Sequence, residues 1–179
     1  SAIMKDAQRP TTKFSEVIGA ENAKTELAWF TEFLKNPKKY SMEGAALPDV
    51  MLEDVDGKMH KLTDFLGKYL YIDLWASWCG PCCQEVPYLQ KLEKQLNNPM
   101  VEFISISLDT NKKAWKEKMK QLNMHGHQYI VTGDQFATMM NIKGIPHFLL
   151  YSKEGTLMQY KAERPSSGDR IRNVLVRLK

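Results

Sequence analysis

The chain has 179 residues, 43% hydrophobic and 26% charged, with a formal net charge of +4. Length and composition are those of a globular domain with an appended segment, which excludes a collagen-like, low-complexity or wholly disordered chain. Lys and Arg are interspersed with acids, so no nucleic-acid partner is expected, and no apolar run approaches the roughly 20 residues that a membrane-crossing helix needs.

Residues 1–46 read as an N-terminal helical arm. Leu27, Phe30 and Leu34, with Trp29 and Phe33 beside them, have the spacing of an amphipathic helix over Thr25–Leu34, and Asn36-Pro37 ends it. Segments 1–15 and 36–47 read as loop or linker. The body, residues 47–179, opens with a strand over Val50–Val55. The turn Asp56-Gly57 folds that strand into a hairpin with Lys58–Leu62. Thr63–Gly67 predicts one capped helical turn closed by glycine. Tyr69–Trp75 (YLYIDLW) is a dense apolar run, the pattern of a central buried strand.

The period then changes. Val86, Leu89, Leu92 and Leu96 recur at helical spacing and predict a helix over Pro81–Leu96, ended by Asn97-Asn98-Pro99. A strand over Val101–Leu108 follows, then helices over Lys112–Leu122 and Asp134–Met140. Strands at Phe148–Tyr151 and Leu157–Tyr160 flank the turn Lys153-Glu154-Gly155, and a helix over Ile171–Leu178 closes the chain. Strands alternating with helices predict an α/β fold, a central sheet with helices on its faces.

All three cysteines lie between positions 79 and 83, so they cannot staple distant parts of the fold. Cys79-x-x-Cys82 sits where a buried strand gives way to a helix. A helix N-terminus offers unpaired N–H groups and a partial positive charge, and both favour a thiolate, the nucleophile of disulfide exchange. Cys79 is expected at the tip as the exposed attacking thiol. Cys82, one turn in, is expected to resolve the mixed disulfide. Gly80-Pro81 suits a tight approach followed by a first helical turn. The competing reading, half of a zinc site, lacks a second pair of ligands at the right spacing; His60, His125, His127, His147 and Cys83 are the remaining candidates. Cys83 itself reads as a small helix residue, against the alternative of a third redox thiol.

The stretch Tyr71 to Cys82, YIDLWASWCGPC, resembles the active-site segment of thioredoxins. The larger pattern, from Pro48-Asp49 through the hairpin to Glu85-Val86-Pro87, resembles the TlpA/ResA-type exported thiol–disulfide oxidoreductases over about residues 47–165. The resemblance implies a thioredoxin-like fold with a mixed sheet and an N-terminal β-hairpin. It makes Ile145-Pro146 the cis-proline segment that receives the substrate backbone, with Trp78, Gly80 and Pro81 as the other substrate contacts. Trp78 is expected to cover the disulfide as a flat lid, and Trp75 to lie in the core.

Asp73 takes the place of the buried thioredoxin aspartate, a proton acceptor for Cys82, against the alternative of a surface-facing strand residue. Glu85 matches a glutamate that such proteins keep near the active site, against the alternative of an exposed helix side.

The activity implied is dithiol–disulfide exchange with protein substrates through Cys79 and Cys82, recharged by an upstream redox donor protein, with no dissociable cofactor and no metal. Gly80-Pro81, the dipeptide of reducing thioredoxins, points to a reductant. Two other readings stand beside it: a peroxiredoxin-like peroxidase, which the WCGPC setting argues against, and a thioredoxin-fold binding or assembly module. The resemblance places the protein in a bacterial cell envelope, periplasmic or lipid-anchored on the extracytoplasmic side. Membrane attachment is expected only through an anchor upstream of Ser1.

Overall fold

The computed structural model describes residues 42–179; the helix expected over Thr25–Leu34 lies outside them. The strands are β1 (Met51–Glu53), β2 (Met59–Lys61), β3 (Tyr69–Trp75), β4 (Val101–Ser107), β5 (His127–Ile130), β6 (His147–Tyr151) and β7 (Leu157–Gln159). The helices are α1 (Gly80–Gln95), α2 (Lys112–Gln121), α3 (Gln135–Met139) and α4 (Asp169–Val176), with 3-10 turns at Leu62–Phe65 and Pro165–Ser167. The strands form one mixed sheet in the order β2-β1-β5-β4-β3-β6-β7. Pairs β3–β4 and β4–β5 are parallel, and the remaining pairs are antiparallel.

Period-two alternation along β3 splits the core between the two faces of the sheet. Leu70, Ile72 and Leu74 join Ile104, Ile106, Phe136 and Met140 on one face. On the other, Tyr71 packs with Phe148, Leu150 and with Leu89, Leu92, Ile171 and Leu175 of α1 and α4. The hairpin forms as its turn chemistry predicts. Gly57 takes the left-handed conformation (φ +85°), and the Asp54 carboxylate accepts the N–H groups of Asp56 and Lys58, each at 2.9 Å. The single turn after β2 starts at Leu62 rather than Thr63. Asp64 reaches back to accept the Lys61 N–H at 3.0 Å, and Gly67 (φ +102°) ends the segment.

Two features depart from the sequence pattern. Strand β5 was not expected, yet it lies inside the sheet between β1 and β4. Residues 42–46, read as part of the arm, pair with the edge strand β7. Gly44 N–H donates to the Leu157 carbonyl at 2.7 Å, Leu157 N–H to the Ala45 carbonyl at 2.9 Å, and Met42 enters the core.

Candidate active site

The site is the crossover from β3 to α1. The chain leaves the sheet at Trp75, which is fully buried as expected, and turns through Ala76-Ser77-Trp78 into the helix. Cys79 is the N-cap of α1, and its Sγ accepts the Cys82 N–H at 3.2 Å. That bond and the helix terminus both favour negative charge on this sulfur. Cys79 and Cys82 are joined as a disulfide with a Cα–Cα distance of 5.2 Å. The Ile145-Pro146 peptide bond is cis, and the Ile145 carbonyl oxygen lies 3.8 Å from Cys79 Sγ. Residues 66 positions apart in the chain therefore meet, with the bend before β6 laid against the Cys79 sulfur. His147, next in the chain, is pinned by a 2.6 Å contact between its Nε2 and the Tyr160 carbonyl, and burial pulls its pKa down.

Two exposure expectations are corrected. Cys79 is only 5% exposed, because Trp75, Ala76 and Ile145 pack around it; Cys82 is 2% exposed. Trp78 stands 71% exposed in solvent instead of closing over the disulfide as a lid. Gly80 and Pro81 form the first turn of α1, as expected. Pro87 lies farther along the helix and cannot donate to the Cys83 carbonyl.

Asp73 is buried on β3, which overturns its surface alternative. Burial pushes its carboxyl up to about 7; the Ser105 hydroxyl, donating to Oδ2 at 3.2 Å, opposes that rise, and the Glu85 charge adds to it. Glu85 is buried too, so the exposed-helix reading fails. Its two carboxylate oxygens accept the Ser166 N–H at 2.9 Å and the Ser166 hydroxyl at 2.7 Å. Cys83 remains a free thiol, pushed up chiefly by burial, with its Sγ 3.8 Å from the Ser77 carbonyl.

Sequence reading missed Asp109. This buried residue, just beyond β4, accepts the Ser77 N–H at 2.9 Å and the Ser77 hydroxyl at 2.6 Å, while the Ser107 hydroxyl donates to Oδ2 at 2.5 Å. It fixes the loop that delivers Trp78 and Cys79, from 32 residues downstream of Ser77. No local motif marks it.

Among the described residues no group of three or more His, Cys, Asp or Glu side chains could hold a metal ion, and no helix is long and apolar enough to cross a membrane.

This fold, with a helix-capping cysteine pair facing a cis-proline, defines a thioredoxin-like thiol–disulfide oxidoreductase. The chain belongs to the Redoxin family, whose model matches residues 42–175, and within it is of the TlpA/ResA type. It is 30% identical over 123 residues to the thiol–disulfide oxidoreductase ResA of Bacillus thuringiensis subsp. konkukian, spanning 68% of this chain and 71% of that protein. ResA of Bacillus subtilis is 28% identical over 122 residues, 68% of each chain. Among solved structures, a Bacteroides vulgatus protein assigned as a thiol–disulfide oxidoreductase superposes with a TM-score of 0.68 at 34% identity, covering 75% of this chain and 94% of that one. The thioredoxin domain of another Bacteroides vulgatus thiol–disulfide oxidoreductase gives 0.66 at 27% identity, covering 74% and 94%. The protein is thus an oxidoreductase that carries its redox chemistry on its own cysteines, without a dissociable cofactor.

Proposed function

We propose that the protein reduces disulfides in other proteins on the extracytoplasmic side of a bacterial envelope. Cys79 thiolate attacks a substrate disulfide and forms a mixed disulfide as the first substrate thiolate leaves. Cys82 then attacks Cys79 Sγ, the mixed disulfide breaks, and the second substrate thiolate leaves. The substrate gains two electrons, the Cys79–Cys82 pair loses them, and an upstream dithiol donor protein restores the pair. Asp73 takes the Cys82 proton in the second step. Trp78, Gly80, Pro81, Ile145 and Pro146 receive the substrate chain. Glu85 acts as a positioning residue, tying the early turns of α1 to Ser166.

The observation that carries this reading is Cys79 Sγ at the helix terminus, 3.8 Å from the Ile145 carbonyl beside the cis-proline. The reducing direction rests on Gly80-Pro81, and the compartment on the likeness to ResA. The reduction potential decides the direction, since about 30 mV corresponds to about 1.4 kcal/mol for this two-electron couple. It is measured in glutathione or dithiothreitol redox buffers, with Cys83→Ser as control. A low, thioredoxin-like value is expected; a high one makes the protein an oxidase or isomerase.

A further inference from the structure

Asp73, Ser105 and Gln128 are register partners on β3, β4 and β5, so they project from the same side of the sheet in one line. Tyr71 and Phe103 flank the row on one side and Trp75 and Ser107 on the other. Ser105 is buried and donates its hydroxyl to Asp73, which leaves its own oxygen able to accept a proton. Gln128 donates Nε2 to the His125 carbonyl at 3.0 Å. Its Oε1 is buried without a partner among the described residues, an acceptor that calls for a donor.

A cavity of about 520 Å³ lies over this row, open to solvent between α1 and residues 123–128. Asp73, Ser105 and Gln128 line it, with Gln90, Glu93 and His125 nearer its rim. Gln90 braces the rim by donating to the Leu122 and Asn123 carbonyls at 3.1 and 3.0 Å. Val86 also lines the cavity and stands one helical turn below Cys82 on the buried face of α1, so the inner end of the cavity is under the cysteine pair. Cys79, Ile145 and Pro146 do not line it. A substrate seated on those residues alone therefore does not fill it.

We propose that Asp73, Ser105 and Gln128 form a proton relay that carries the Cys82 proton sideways across the sheet to this cavity while the substrate still covers the cysteines. The relay rests on the reading of Asp73 as the base for Cys82. In the resolving step Cys82–SH gives its proton to the Asp73 carboxylate. The thiolate bonds to Cys79 Sγ as the Cys79–substrate bond breaks, and the substrate leaves as thiolate. Asp73 then passes the proton to Ser105, whose hydroxyl proton moves to water entering the cavity, with the unpartnered Gln128 Oε1 turning to accept from that water, and solvent removes it. Glu85 and Tyr71 face Asp73 from α1 and β3; Glu93 and Lys94 of α1 and His125 of the following loop supply the charge at the cavity.

The test follows the reduced full-length protein, in a Cys83→Ser background, with dithiobis(nitrobenzoate) in a stopped-flow instrument. The first nitrothiobenzoate released reports attack by Cys79, and the second reports resolution by Cys82. Ser105→Ala and Gln128→Met are expected to leave the first release unchanged and slow the second by about tenfold, less than the roughly hundredfold or more that a directly acting acid or base contributes. Added imidazole, small enough to enter the cavity, restores the second phase of Gln128→Met. Asp73→Asn is slow in the second phase with or without it. If both relay variants fold, as circular dichroism shows, and resolve at the parent rate while Asp73→Asn is slow, the relay is wrong and the base assignment stands. If Asp73→Asn resolves at the parent rate, the base assignment fails and the relay with it.

Discussion

At Asp73 a carboxyl group sits inside an apolar strand, and the consequence is measurable as stability. Its pKa is raised from the ordinary 3.8 to about 7, so the folded state prefers the protonated acid. The stabilisation this gives is complete below the unfolded value and is lost as pH rises through about 7, a loss of up to about 4 kcal/mol. Urea unfolding of the disulfide form from pH 4 to pH 8 should show that decline. Asp73→Asn should flatten it and be the more stable protein at pH 8. Cys83 calls for the opposite expectation. Its thiol lies outside the disulfide and is pushed up by burial, so it is mostly protonated at neutral pH. Cys83→Ser should leave the reduction potential of the pair unchanged in the same redox buffers. Residues such as Cys79, Cys82 and Asp73 were legible in the sequence because a few neighbouring positions hold the whole signal. Asp109 was not, because its work is done through space on Ser77.

Among the elements, α1 is anchored twice over. Its apolar stripe, read correctly from Val86, Leu89 and Leu92, packs on the sheet, and Glu85 clamps it to the Pro165–Ser167 turn. Removing Glu85 strands the Ser166 donors, whereas Ser166→Ala keeps the backbone N–H bond. Glu85→Ala should therefore cost about 2–3 kcal/mol and Ser166→Ala about 1 kcal/mol, read from urea midpoints at constant slope. The family resemblance marked Glu85, but its partner is 81 residues away and invisible to any local pattern. Strand β5 was missed for a related reason. Its sequence, HQYI, breaks apolar alternation where Gln128 faces the cavity. The polar residue that hid the strand is the one the relay uses.

For the whole molecule, the order of strands places residues 42–46 at the β7 edge, so the domain begins before the point where the motif resemblance starts. Met42→Ala should lower the unfolding free energy by about 2 kcal/mol, measured by thermal or urea unfolding, because a buried side chain is lost from the main core. The broad architecture was readable because alternating strand and helix periods admit few arrangements. The edge pairing was not, since Gly44 and Ala45 bind through their backbones and carry no side-chain signature.

The packing around the disulfide also makes the protein its own optical gauge. Trp75 and Trp115 are fully buried in the cluster that holds Cys79 and Cys82, and Trp78 is the neighbour of Cys79 in the chain. A disulfide beside an excited indole accepts an electron and quenches its light; a dithiol does so far less. Emission should rise on reduction and fall as the pair closes, so each turnover can be followed in unlabelled protein, by the brightness of its own light.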